Sequence, residues 1–242
     1  MPIAAELVPA PTSGRTFEQS VRPGLADAAP SGRVRLDALA RWLQDVAYAD
    51  VDDAELIGAA VWVVRRLRLV VAGFPRFGET VSMSTFCSGL GRMWAERRTT
   101  VISESGRVEA VAIWIHLDPE SRRPIPFSEA EFATYAEAAG GREVKARLRH
   151  PAPGPDASRS PWVFRAAETD LAGHVNNAAY WQPLEERLLA GPDPGGIDAE
   201  IEFRSPAQPG TVEVLTEGDR MWIAALDGEL HASLDVASAA ES

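Results

Sequence analysis

One order of elements occurs twice along this chain. From Arg35, the apolar residues Leu36, Leu39, Ala40, Leu43, Val46 and Ala47 recur at steps of three and four, which lines one face of a helix ending near Asp50-Val51-Asp52-Asp53. Four segments rich in Val, Ile, Thr and Trp follow: Val61 to Val71, Thr80 to Ser88, Met93 to Ser103 and Val108 to Leu117. Beyond residue 160 the order returns, with a strand at Trp162 to Ala167, a helix at Ala178 to Leu189, and strands at Ala199 to Arg204, Thr211 to Thr216, Met221 to Leu226 and Glu229 to Val236. The strands are joined by short glycine-bearing turns such as Gly89-Leu90-Gly91, and such turns connect antiparallel neighbours because parallel strands need long crossovers. Two copies of one α+β unit are expected, each a long helix wrapped by a strongly twisted antiparallel sheet.

Composition marks the boundaries. Residues 1–14 are small, proline-containing and aperiodic, the pattern of a flexible tail, and residues 15–146 hold the first unit, whose opening strand is Arg15 to Val21. That unit closes with a helix at Ser128 to Ala138, where Ser128 and Glu131 form a capping box and Gly140-Gly141 a stop. Residues 147–160 contain His150-Pro151-Ala152-Pro153-Gly154-Pro155 and read as a linker, and 161–242 hold the second unit.

A net charge of −11 argues against nucleic acid or an anionic membrane as partner, both of which favour basic surfaces. No apolar run approaches the roughly twenty residues that span a bilayer, and no basic region precedes an apolar run at the start, so a cytoplasmic protein without membrane insertion is expected. Cys87 stands alone and the histidines, His116, His150, His174 and His231, are scattered, so neither a metal nor another cofactor is expected.

Chemistry concentrates between the strand at Trp162 and the helix at Ala178, in Thr169-Asp170-Leu171-Ala172-Gly173-His174-Val175-Asn176-Asn177-Ala178-Ala179-Tyr180. A carboxylate beside a helix N-terminus offers a base or nucleophile together with N–H donors for developing negative charge, which suits acyl transfer or ester-type hydrolysis. The other copy opens its helix with Gly32-Arg33-Val34-Arg35-Leu36 where this one has Gly173-His174-Val175-Asn176-Asn177, so one site per chain is expected.

Asp170 to Asn177 with Tyr180 resembles the signature of the acyl-acyl carrier protein thioesterase family of plant and bacterial type, and the repeated unit resembles its tandem double hotdog. In the first half Trp62-Val63-Val64-Arg65-Arg66, Phe74-Pro75 with Gly78-Glu79, and Ser121-Arg122-Arg123-Pro124 are similar to that family, so the likeness runs from Arg15 to Val236. It implies a hydrolase acting in lipid metabolism, which frees fatty acids from carrier protein. Two positions depart from the plant-type pattern: Ala172 replaces an asparagine, and Pro206 a glutamate. The Asp-x-Ala-Gly spelling is nearer to single-domain hotdog thioesterases that rely on an aspartate alone.

On this reading Asp170 attacks the thioester or activates water, backbone N–H groups from Gly173 to Asn176 bind the oxyanion, and His174 polarises the carbonyl or orients Asp170. Asn176, Asn177 and Tyr180 fix the turn or the substrate. Trp42, Trp62, Trp94 and Trp114 are candidates for the lining of an apolar acyl tunnel. Arg122, Arg142, Lys145, Arg147 and Arg149 are candidates for docking acidic carrier protein or the phosphate of its pantetheine arm. An acyl-CoA thioesterase using the same site and a noncatalytic acyl-binding protein are the alternatives. The tandem repeat supplies within one chain the pair that single hotdogs form by dimerising, so a monomer and a homodimer both fit.

Overall fold

The computed structural model describes residues 7–58 and 60–237; residues 1–6 of the expected tail and 238–242 of the second unit lie outside the described residues. The first repeat runs β1 (Thr16–Val21), α1 (Leu36–Asp53), β2 (Val61–Ala72), β3 (Val81–Leu90), β4 (Trp94–Ile102), β5 (Arg107–Leu117) and α2 (Glu129–Ala139). The second runs β6 (Ser158–Phe164), α3 (Gln182–Leu189), β7 (Gly196–Phe203), β8 (Gly210–Glu217), β9 (Arg220–Ala224) and β10 (Leu230–Ala237). The ten strands of the described residues join one sheet in the order β1-β3-β4-β5-β2-β7-β10-β9-β8-β6, with every pairing between them antiparallel. Read from each edge inward, 1-3-4-5-2 is matched by 6-8-9-10-7, so the second repeat reproduces the topology of the first. This is the double hotdog of the α+β class.

The repeats meet where β2 pairs with β7, Leu67 opposite Ile201 and Leu69 opposite Ala199. Those side chains face the helices, and one core cluster runs through both repeats, from Leu36, Leu39 and Leu43 of α1 to Tyr180, Trp181 and Leu184. Because strand side chains alternate, Arg66, Glu200 and Glu202 stand on the opposite face.

The two helices are unequal. α1 has 18 residues and runs on through the acidic stretch, where Asp50 accepts from Arg15 Nε at 2.7 Å and from an Arg97 amine at 2.6 Å, offsetting the unfavourable negative charge at that end. The helix expected from Ala178 is instead a 3-10 segment, Asn177–Trp181, leading into an α3 of eight residues with Pro183 in its first turn. α2 keeps its capping box, the Glu131 N–H donating to Ser128 Oγ at 3.2 Å.

Composition misreads the linker. Residues 158–160 already belong to β6, and the segment before them is strapped across the outer face of the sheet. Trp94 Nε1 donates to the Val144 carbonyl at 2.8 Å, Arg66 to that of Arg147 at 3.1 Å, and Trp222 Nε1 to that of Pro151 at 2.9 Å. At the seam Glu202, wholly buried, accepts the N–H groups of Arg149 and His150 at 2.6 and 3.0 Å. His150 is therefore not isolated, as the sequence suggests: it gathers with Glu200 and Glu202, their ligand-type atoms within 4.8 Å of one another. Arg66 lies 3.4 Å from Glu200 and Arg204 3.6 Å from Glu202, so arginines balance both carboxylates and the cluster is an ion-pair network under the strap.

The repeats are also clamped on the helix side. Arg33 donates to Glu185 of α3 at 2.7 Å, both side chains buried, and the other Glu185 oxygen accepts the Leu36 N–H at 2.9 Å. No helix among the described residues is long and apolar enough to cross a membrane.

Candidate active site

Asp170 stands at the head of a tight loop closed by an antiparallel bridge between Thr169 and Val175. Its N–H donates to the His174 carbonyl at 2.9 Å, and the Gly173 N–H donates back to the Asp170 carbonyl at 3.0 Å. Gly173 has a φ of +78°, a left-handed conformation that glycine adopts without a Cβ penalty, which explains its place in the motif. One carboxylate oxygen of Asp170 accepts the Ala172 N–H at 2.8 Å, an Asx-type turn that aims a half-exposed carboxylate. Asn176 then caps the 3-10 segment, its Oδ1 accepting the Ala178 N–H at 2.9 Å.

The backbone donors expected to form an oxyanion hole are mostly committed elsewhere. The Gly173 N–H closes the loop, that of Val175 donates to Ala207 at 3.0 Å, and that of Asn176 to Glu168 at 2.8 Å. Of the four from Gly173 to Asn176, only the His174 N–H has no partner among the described residues.

Asp170, Leu171, Ala172 and Asn176 line a cavity of about 710 Å³ whose remaining wall comes from the first repeat. Gln44, Ala47, Tyr48 and Val51 of α1 form one side, Trp62, Cys87, Ala95, Arg97 and Trp114 of the sheet another, with Tyr135 of α2. Apolar Tyr48, Ile57 and Leu171 are exposed among the lining residues, and Leu171 projects from the tip of the Asp170 loop. A smaller pocket shares Gln44, Arg97 and Trp114 with this cavity and includes Asn177 and Trp181. The motif thus belongs to one repeat and the chamber it serves to the other.

The other predicted residues divide. Trp62 and Trp114 line the cavity, whereas Trp42 is buried in the core and Trp94 is tied to the strap. Arg122 is at the cavity; Arg142 instead bonds Glu96 and the Ser88 carbonyl, and Lys145, Arg147 and Arg149 are exposed on the strap. The His174 ring is not in the cavity wall, its backbone carbonyl being what closes the loop. Tyr180 is buried between Phe164 and Phe203, its hydroxyl oxygen accepting the Ala207 N–H at 2.7 Å. Burial pushes the Tyr180 phenol up to about 12, so it holds its proton at neutral pH. Cys87 reaches the cavity, but burial pushes its thiol up to about 11, which keeps it a poor nucleophile.

Gln44 escaped the sequence reading. It lies between Ala40 and Ala47 on the face of α1 that approaches the motif, and its Nε2 donates to Asn176 Oδ1 at 3.1 Å across the two repeats. A polar side chain beside small residues on an otherwise apolar helical stripe was the available signal.

The model of the acyl-ACP thioesterase N-terminal domain matches residues 14–135, half of the chain. Uncharacterised proteins of two Mycobacterium tuberculosis strains are each 27% identical over 207 residues, covering 84% of this chain and 83% of theirs. A protein described as an oleoyl thioesterase, from Lactobacillus plantarum, superposes with a TM-score of 0.76 at 18% identity, covering 93% of this chain and 96% of its own. An acyl-ACP thioesterase from Bacteroides thetaiotaomicron gives 0.76 at 16%, and the 12:0-ACP thioesterase from Umbellularia californica 0.72 at 14%, each covering 91% of this chain and 96% of its own. Identities this low establish a shared fold.

Proposed function

Because this chain belongs to the acyl-ACP thioesterase family, whose members hydrolyse fatty acyl thioesters, we propose that Asp170 is the group through which it does so. The observation that carries this reading is the placing of the Asp170 carboxylate, held on one oxygen by the Ala172 N–H, in the wall of the apolar cavity between the repeats. The acyl chain lies in that cavity with its carbonyl carbon at Asp170. The carboxylate either takes a proton from a water that attacks the carbonyl or attacks it directly, the anhydride then being opened by water. In both courses the C–S bond breaks, the thiol leaves with a proton and a free fatty acid remains. A thiolate is a good enough leaving group for a carboxylate to suffice, so the asparagine and glutamate replaced by Ala172 and Pro206 are dispensable.

With three of the four N–H groups from Gly173 to Asn176 committed, the oxyanion falls to the Asn176 side-chain amide, which unlike His174 lines the cavity and whose nitrogen has no partner among the described residues. A donor of this kind contributes roughly a hundredfold or more in rate. The test is release of free thiol from a panel of acyl carrier protein and CoA thioesters of graded chain length. Release with a chain-length optimum is expected, the ratio of rates on the two carriers gives the preference, and no release from any member would sink the reading.

Two groups of cations serve different parts of the carrier. Arg97 and Arg122 are the cavity-lining cations; Arg97 is engaged by Asp50 and Thr85, while the Arg122 side chain has no partner among the described residues. Arg122 is placed to meet the phosphate of a pantetheine arm. Lys145, Arg147 and Arg149 alternate outward along the strap and offer an acidic carrier protein a local positive edge on a chain of net charge −11. Charge reversal at Arg122 is expected to raise KM for CoA and carrier-protein thioesters alike, by about tenfold for one lost charge-assisted contact. Reversal at the three strap positions should raise it for carrier protein alone. Acyl-N-acetylcysteamine, which lacks the phosphate, should be hydrolysed unchanged by both variants, and equal losses on all three substrates would count against docking.

One chain holds both walls of the cavity, so a monomer is catalytically complete and a homodimer is not required by the chemistry. A cytoplasmic setting suits a protein whose lone cysteine is free and buried.

A further inference from the structure

Sequence places all the chemistry in the second repeat, yet one hydrogen bond crosses into the site from the first. We infer that Gln44 is a positioning residue for hydrolysis: it locks the Asn176 amide in the orientation that turns its N–H groups toward the acyl carbonyl. The inference rests on the hydrolase reading given above.

The orientation of both amides follows from backbone groups that cannot exchange roles. The Ala178 N–H can only donate, and at 2.9 Å it requires the oxygen of Asn176 to face it. The Ala40 carbonyl can only accept, and at 3.4 Å it requires the nitrogen of Gln44 on its side. Gln44 Nε2 then has a further N–H to give, and it goes to Asn176 Oδ1 at 3.1 Å. That oxygen receives two donors, one from each repeat, and the Asn176 nitrogen is left as the end without a partner among the described residues. Asp170, Asn176 and Gln44 line the same cavity, so the free amide N–H groups and the carboxylate share one space.

Capping alone does not hold such an amide. A cap bond of this type is worth only about 1 kcal/mol, and a solvent-facing asparagine can give it up to rotate. The second donor from α1 removes that freedom, and α1 is itself firmly packed, with Leu36, Leu39, Ala40, Leu43 and Val46 all buried. Rigid support behind a polar group is what makes it effective in a transition state, since a displacement of 1 Å costs on the order of a hundredfold. The repeat without a motif therefore supplies the fixed point against which the motif is set.

Gln44→Met keeps length and volume while removing the donor, and Gln44→Glu replaces it with an acceptor that draws the Asn176 nitrogen away from the cavity. Both are to be assayed for kcat and KM on one acyl-N-acetylcysteamine, alone and in an Asn176→Ala background, with thermal midpoints measured in parallel. Gln44→Met is expected to lower kcat by about ten- to a hundredfold with KM within about twofold, and Gln44→Glu to lower it further. In the Asn176→Ala background neither should lower kcat again, because the group through which Gln44 acts is gone. Full turnover by Gln44→Met, or losses that multiply with that of Asn176→Ala, would overturn the inference. A loss confined to KM or to the thermal midpoint would overturn it too, showing Gln44 to be lining or packing. No thiol release by the unsubstituted protein would overturn the hydrolase reading and this inference with it.

Discussion

Asp170→Asn is expected to abolish thioester hydrolysis, lowering kcat by roughly a thousandfold or more, while acyl binding and the fold persist. The substitution is informative because the loop around Asp170 depends on that residue's backbone and on one acceptor oxygen. The N–H to His174 and the carbonyl from Gly173 are unaffected, and asparagine offers the same oxygen to the Ala172 N–H. Asparagine can neither take a proton from water nor form an anhydride, so both courses of reaction fail together. Thiol release under saturating substrate measures the loss, titration with a nonhydrolysable acyl analogue checks binding, and circular dichroism checks the fold. Turnover near that of the unsubstituted protein would remove Asp170 from the mechanism. Single-turnover hydrolysis in ¹⁸O-labelled water tests direct attack in the unsubstituted protein: an anhydride that water opens at the Asp170 carbonyl leaves an unlabelled Asp170 oxygen in the fatty acid and a label on Asp170, whereas activation of water, or opening at the acyl carbonyl, puts solvent oxygen into the fatty acid.

The strands and α1 were legible because their signal is local. The alternation in β10 marks Ala232 and Leu234 as members of the core, although His231 and Ser233 on the other face are buried as well, and the Leu36 to Ala47 spacing records one face of a helix. Where the sequence misled, partners came from far along the chain. Prolines at 151, 153 and 155 suggest a free linker, but Glu202 and Trp222, brought alongside by the sheet, hold that segment as a strap. Trp42 and Trp62 have the same chemistry, and only the packing of α1 decides that one fills the core and the other a cavity wall. Asp170 and Asn176 were visible because a loop and its cap are written in consecutive residues. The commitment of the Val175 and Asn176 N–H groups was not legible, because N–H accounting needs acceptors that sequence does not show, here Ala207 and Glu168.

Glu185→Ala is expected to give the largest loss of stability among substitutions outside the cavity. Arg33 occupies in the first repeat the place that His174 has in the second, and it is only 2% exposed. Its guanidinium donates to Glu185 at 2.7 Å and to Asp193 at 2.9 Å, and stands over the Phe74 ring at 5.0 Å. The same Glu185 carboxylate accepts the Leu36 N–H, where the N-cap residue of α1, Arg35, makes no side-chain cap bond. One carboxylate from α3 thus neutralises a buried cation and caps the N-terminus of the other repeat's helix, where negative charge is favoured. Removing it deprives Arg33 of its buried partner, leaving only the more exposed Asp193, and strips the Leu36 N–H of its acceptor, which costs about 3 kcal/mol, or roughly 6–12 °C in Tm for a chain of this size. The cost arises from stranding Arg33, not from any large net gain of the pair, so the double variant Arg33→Met, Glu185→Leu should recover most of the loss. Because α1 also carries Gln44, Glu185→Ala should lower kcat below its melting range, and the double variant, with α1 seated again, should restore it. A Tm shift below about 3 °C for Glu185→Ala would mean that the β2–β7 seam and the shared core hold the repeats together without this clamp.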